Sequence, residues 1–216
     1  FAGAVIAGFL LTAVATWTGR PPVRGGTLAM LLAAWLAGRL AMAFGGSVPE
    51  LTRIVDLAFP ILLAVVASRE VIAGRSRRNY GIAVLVWVFA GINGLYHAGL
   101  EQTASYLFVH LLALLVVVIG GRVVPAFTGN WLRARGAALL PRPRPGIEPV
   151  VVPLSAAAGV ANSLFPGSAF AGAVAIAAGG VIGVRLSGWR GLSTVGDALV
   201  FVLHVAYAWL AIGYVM

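Results

Sequence analysis

Residues 103–121 read TASYLFVHLLALLVVVIGG. No charged side chain interrupts these nineteen positions, and a helix of that length covers ~28 Å, close to the ~30 Å hydrocarbon thickness of a bilayer. A run this long and this apolar is a membrane span rather than a buried strand. The same ruler laid outward along the chain finds further spans near 1–18, 27–44, 52–69, 80–98, 150–165, 168–187 and 197–216. The segment 150–165 is short and Ala-rich and is followed at once by Phe165-Pro166-Gly167, a tight turn signal, so it reads as a short or re-entrant span. The expected fold class is therefore all-α: a polytopic transmembrane helix bundle of about eight spans, with residues 1–216 forming one transmembrane domain.

Composition agrees. Hydrophobic residues make up 61% of the 216 and charged residues 10%, with a mean hydropathy of +0.99. Soluble domains hold about 45–50% and about 25% respectively, so a water-soluble globular protein is excluded. Cysteine is absent, which excludes disulfides, zinc–thiolate sites, iron–sulfur clusters and His₂Cys copper. Any metal must be held by His, Met, carboxylate or backbone. The chain opens FAGAVIAGFLLTAV, inside an apolar stretch, with no Met, no charged n-region and no small-residue cleavage site. It reads as an N-terminally truncated fragment rather than one led by a signal peptide.

The net charge of +9 is carried wholly by arginine. Arg20 and Arg24, then Arg69, Arg75, Arg77 and Arg78, then Arg122, Arg133, Arg135, Arg142 and Arg144, then Arg185 and Arg190 fall in alternate connections, while the intervening ones hold only Arg53. The positive-inside rule makes the Arg-rich connections cytoplasmic. The longest of these, 122–149, contains PRPRPG at 141–146, an extended Pro/Arg linker. No phosphate-cradling Gly loop or nucleic-acid motif is present, so the arginines speak for the lipid bilayer and not for nucleic acid. Small residues four apart, such as Gly3 with Ala7 and Gly179 with Gly183, suit close helix packing.

Ionisable groups inside spans are costly and mark candidate sites. Arg39 and Asp56 lie at similar depths on either side of the 45–51 turn, where antiparallel neighbours would pair them. Three histidines also sit in or at the ends of spans. His97 closes its span with Asn93 one turn below; His110 opens the next span about two turns in; His204 lies in the last span with Tyr207 at i+3. Imidazole is the commonest metal ligand and is cheaper to bury than a carboxylate, so His110 and His204, with His97 at the outer rim, are the candidate metal and cofactor ligands. Counted from opposite faces, His110 and His204 stand ~10 Å apart along the membrane normal, which points to separate sites.

Several strings resemble the NnrS family of polytopic membrane proteins: FAGAVIAGFLLTAV at 1–14, WTGRPP at 17–22, WLAGRLAM at 35–42, GGRVVPAFTGN at 120–130, GWRGL at 188–192 and LHVAYAWL at 203–210. They occur in the family's order across the whole chain. The resemblance implies a multi-pass protein of the bacterial inner membrane, of roughly twelve spans, that holds haem and copper. It also implies a role in the response to nitric oxide or iron–nitrosyl species, in nitrosative stress and denitrification. Family members carry a His-Ala-His-Glu-Met type motif just upstream of the FAGAVIAGF string, and this chain begins after it. They often carry Pro-Asn before WTG, where Ala15-Thr16 stand here. On this resemblance Arg122, in GGRVVPAFT, becomes a candidate partner for haem propionates at the membrane edge. Haem takes one or two axial imidazoles, and copper accepts His nitrogen or Met sulfur. The alternative function is a small-molecule or metal-complex transporter with Arg39, Asp56 and Asn93 lining a path, although no internal repeat of the kind such proteins show is visible.

Overall fold

A computed structural model describes residues 2–46 and 48–216. It contains eight α-helices: α1 (Ala2–Thr18), α2 (Gly26–Phe44), α3 (Pro49–Ala73), α4 (Tyr80–His97), α5 (Glu101–Ala134), α6 (Glu148–Leu164), α7 (Ala169–Ser187) and α8 (Ala198–Val215). Short 3₁₀ turns at Arg77–Asn79 and Gly191–Thr194 precede α4 and α8. Among the described residues there is no strand. All but α1 and α6, of 17 residues each, are long and apolar enough to cross a membrane. The chain is a multi-pass membrane protein, and its exposed Leu32, Leu40, Ile54, Val84 and Trp209 side chains suit a lipid surface.

The helices form two compact units divided between Ala104 and Ser105. In the first, α3 is the central helix and packs against α1, α2 and α4. Its start follows from sequence, with Pro49 in the first turn beside Glu50, an acid at the positive end of the helix dipole. The α2–α3 turn is closed by Thr52 Oγ1, which donates to the Gly45 carbonyl at 3.0 Å. Leu63 and Ala64 are wholly buried on α3, so the helix buries a face among its neighbours despite an apolar character on all sides.

In the second unit α7 packs against both α6 and α8, around a core that includes Val117, Val151, Ile182, Trp189 and Tyr207. A Cβ on Gly179 would stand 2.7 Å from the Ala211 carbonyl oxygen, so this glycine sets the α7–α8 approach, whereas its partner in the four-residue spacing, Gly183, faces open space. Ser168 Oγ accepts from the Ala171 N–H to cap α7, and Asp197 caps α8 by accepting from Leu199 and Val200.

The main departure from the sequence reading is α5. It was expected to end at 121 and runs on to Ala134, 34 residues or ~51 Å, so Arg122 and Arg133 lie on a helix and the connection to α6 begins at Arg135. Gly120 and Gly121 do not break it because they serve as a notch. A Cβ on Gly120 would meet the Tyr207 ring at 2.9 Å, and one on Gly121 would overlap the Arg185 guanidinium. Pro125 removes one N–H from the ladder, and the helix continues beyond it because Thr128 and Leu132 are buried against the unit. The PRPRPG linker lies along the end of α7: the Arg142 N–H donates to the Gly188 carbonyl at 3.1 Å, and Arg144 donates to Ser187 Oγ at 3.0 Å.

Candidate functional site

In the first unit one carboxylate gathers three helices. Asp56 on α3 is 3% exposed. Its Oδ1 pairs with Arg39 of α2, and its Oδ2 accepts from Asn93 Nδ2 of α4 at 3.1 Å and lies 3.0 Å from His97 Nε2. Gly38 leaves the room for this, since a Cβ there would stand 3.0 Å from Oδ1. The expected Arg39–Asp56 pair therefore forms. His97, expected at the rim, is drawn into the same cluster and is 9% exposed at its side chain. Its Nε2 is committed to the carboxylate, so the buried Asp56 charge is paired and hydrogen-bonded, as burial requires, while Asn93 Oδ1 is buried with no hydrogen bond reaching it.

In the second unit His110 of α5 is half-buried on the wall of a cavity of about 400 Å³, which Asn162, Ser168, Gly172, Tyr214 and Met216 also line. That volume is in the range of small-molecule and cofactor sites. Asn162 Nδ2 of α6 donates to His110 Nε2 at 3.1 Å, and the Tyr214 ring stands 6.3 Å from the imidazole at a tilt of 42°. Here a titratable, metal-competent side chain meets a half-open cavity between helices, and helix bundles build cofactor sites from side chains on facing helices.

His204 of α8 stands differently. It is 5% exposed. Its Nε2 lies 2.7 Å from Thr128 Oγ1, which itself donates to the Val124 carbonyl at 2.9 Å. With the hydroxyl proton used there, Nε2–H donates to Thr128 and Nδ1 is left with a bare lone pair, and no hydrogen bond reaches it. Gly191 covers that nitrogen so closely that a Cβ would stand 2.7 Å from it. Both ring nitrogens are thus covered by protein, and His204 ties α8 to the far end of α5.

Arg185, counted in the sequence among the connection arginines, is inside α7 and 6% exposed. Its Nε and Nη2 donate to Glu148 at 3.1 and 2.5 Å, and its Nη1 donates to the Val117 carbonyl at 3.0 Å and Tyr207 Oη at 3.1 Å. Its burial is legible only through Glu148, the acid at the start of α6 that balances it. Arg122 lies one residue from Gly121, half-buried on α5.

Outside the spans, Asp197 is held below the ordinary carboxylate range, first by the Val200 N–H and also by Trp131, Leu199 and the nearby Arg135. Trp131 Nε1 donates to it at 2.7 Å, and the Arg135 guanidinium stacks 3.8 Å over the Trp131 ring.

The three candidate histidines share no hydrogen-bond partner, being bound to Asp56, Asn162 and Thr128 respectively. Among the described residues no three His, Asp or Glu side chains converge as a metal cluster. Sequence reasoning passed over Asn162, and only its place at i+3 from Gly159 on one face of an Ala-rich helix hinted at it.

Comparison with curated proteins and with solved structures returns no match. The family model described as NnrS protein matches residues 1–216. With its strings in order along a multi-pass helical chain, this protein belongs to the NnrS family.

Proposed function

We propose that the protein binds haem and copper in the bacterial inner membrane and acts in the response to nitric oxide and nitrosative stress, the general association of the family to which it belongs. The observation that carries this reading is His110, an imidazole on the wall of a cavity of about 400 Å³ within the helices of the second unit. A haem iron needs one or two axial imidazoles, and His110 is the histidine that meets open volume. Its Nε2 partner, Asn162, is a neutral side chain on the same cavity wall, whereas His97 Nε2 faces the buried Asp56 carboxylate and His204 has Thr128 on Nε2 and Gly191 packed against Nδ1. When bound, haem supplies an iron that takes a diatomic ligand. The chain's own part is to present the imidazole on a wall that also carries the apolar Ile176 and Val215.

Copper is the less complete fit. It draws on His nitrogen and Met sulfur, and the cavity wall offers one of each, His110 and Met216. The transporter alternative gains nothing from the first unit, where Arg39, Asp56 and Asn93 bond to one another.

The visible spectrum of the purified protein tests the reading. A Soret band that is lost in His110→Ala supports it, whereas a colourless, metal-free protein or a Soret band unaffected by that substitution overturns it.

A further inference from the structure

Asn162 occupies the ring nitrogen of His110 that a metal would need. The carboxamide nitrogen stands 3.1 Å from Nε2, and whichever way the amide is turned, Nε2 is the atom engaged. The root of the ring is packed against the same helix. Gly159 of α6 lies against the imidazole, so that a Cβ there would stand 2.8 Å from His110 Cβ and 3.7 Å from Nδ1. Gly159 and Asn162 are three residues apart, and hence on one face of the helix. One turn of α6 therefore seats the ring from its root and closes it at its tip. The turn is regular there, with Ser163 Oγ donating to the Gly159 carbonyl at 2.7 Å. Asn162 itself lines the cavity, so its side chain has open volume into which to swing.

We infer that Asn162 masks His110, and that a metal-bearing ligand binds by displacing the Asn162 carboxamide from Nε2. This rests on the reading of His110 as a cofactor ligand. In the masked state the Asn162 N–H donates to the Nε2 lone pair, and Nδ1 carries the ring proton. A metal held here would take the Nε2 lone pair that the amide hydrogen now occupies, with the ring proton kept on Nδ1 and the carboxamide turned into the cavity. The mask holds the imidazole oriented while making loose cations compete for it. A carboxamide that supported a metal ligand would accept, through its oxygen, from the ring N–H remote from the metal; Asn162 instead presents its Nδ2 to Nε2.

Two probes on the purified full-length protein test this. Diethyl pyrocarbonate modifies an unprotonated, accessible imidazole nitrogen, and mass spectrometry of the His110 peptide reads its rate against those of His97 and His204 in the same sample. Haemin titration read at the Soret band gives a dissociation constant. A net hydrogen bond of ~1 kcal/mol corresponds to about fivefold, so Asn162→Ala is expected to speed modification of His110 about fivefold and to tighten haemin binding about fivefold. Asn162→Ser serves as a second variant if the first folds poorly, and Asn162→Asp, a stronger acceptor for an Nε2–H, should slow the one and weaken the other. Unchanged modification of His110 in Asn162→Ala overturns the mask. Faster modification with weaker haemin binding overturns the competition alone, because Asn162 would then be a support. Haemin binding that survives His110→Ala overturns the functional reading and the competition together.

Discussion

Arg39 on α2 and Asp56 on α3 face one another across the α2–α3 hairpin, with an Asp56 side chain that is 4% exposed and an Arg39 side chain that is 46% exposed. The asymmetry decides which loss costs more. Removing Arg39 strands a buried anion that retains Asn93 and His97, whereas removing Asp56 leaves a cation whose side chain is part-exposed. Breaking a buried pair costs about 3–5 kcal/mol. Arg39→Leu is expected near the lower end of that range, Asp56→Asn below it, and the double variant close to the parent. Unfolding of the purified protein in graded denaturing detergent measures all three, and an Asp56→Asn variant less stable than Arg39→Leu would contradict the assignment.

Glu148→Gln removes the carboxylate bonded to Arg185. The buried cation keeps Tyr207 and the Val117 carbonyl but loses its counter-charge, so a loss of about 3 kcal/mol is expected. Gly121→Ala should destabilise by another route, because its Cβ would overlap the same guanidinium. Since both act on one side chain, their effects should not add, and simple additivity in the double variant would refute a shared target.

Asp197 gives a pH dependence whose sign is fixed. Its native pKa is lowered, first by the Val200 N–H, so its capping contribution is fully present above the unfolded value of about 3.9 and fades as pH falls through the native value. The melting temperature of the parent should therefore drop more steeply than that of Asp197→Asn when pH is taken from 5 towards 3. Parallel curves would remove Asp197 from the account.

The arginine alternation orients the chain, and the lack of cysteine makes single-cysteine variants unambiguous. Ala138→Cys, in the connection after α5, should resist a membrane-impermeant maleimide in intact cells and react after permeabilisation. Leu100→Cys, exposed between α4 and α5, should react from outside. The reversed pattern would invert the topology.

The spans were legible because hydropathy and helix length are local properties, and each expected segment became a helix. The Arg39–Asp56 pair was legible too, since a short hairpin fixes the relative depth of its two sides. What escaped depended on distant partners. The run of α5 past Gly120-Gly121 is decided by Tyr207 and Arg185 filling the notch, and nothing within 120–134 reports that. Arg185 looked like an interfacial cation until Glu148, 37 residues earlier, closed on it. His97 was read beside Asn93 correctly, but both turn to Asp56, 41 residues from the histidine. Among the histidines the sequence gives three similar imidazoles, and only the packing of Gly191 on one and of Asn162 on another separates them.

His110 and Thr128 are eighteen residues apart on α5, which at 3.6 residues per turn is five full turns, ~27 Å along the axis and back to the same side of the cylinder. One edge of a single rod thus carries the cavity's imidazole at one level and the hydroxyl that meets His204 at another. Turning the rod to reseat His110 would drag Thr128 sideways by a similar arc, against the 2.7 Å contact with His204. Pro125, three residues before Thr128 and short of one rung of the ladder, is the place where such torsion can be absorbed. The two ends of α5 are geared together, with slip allowed at one tooth.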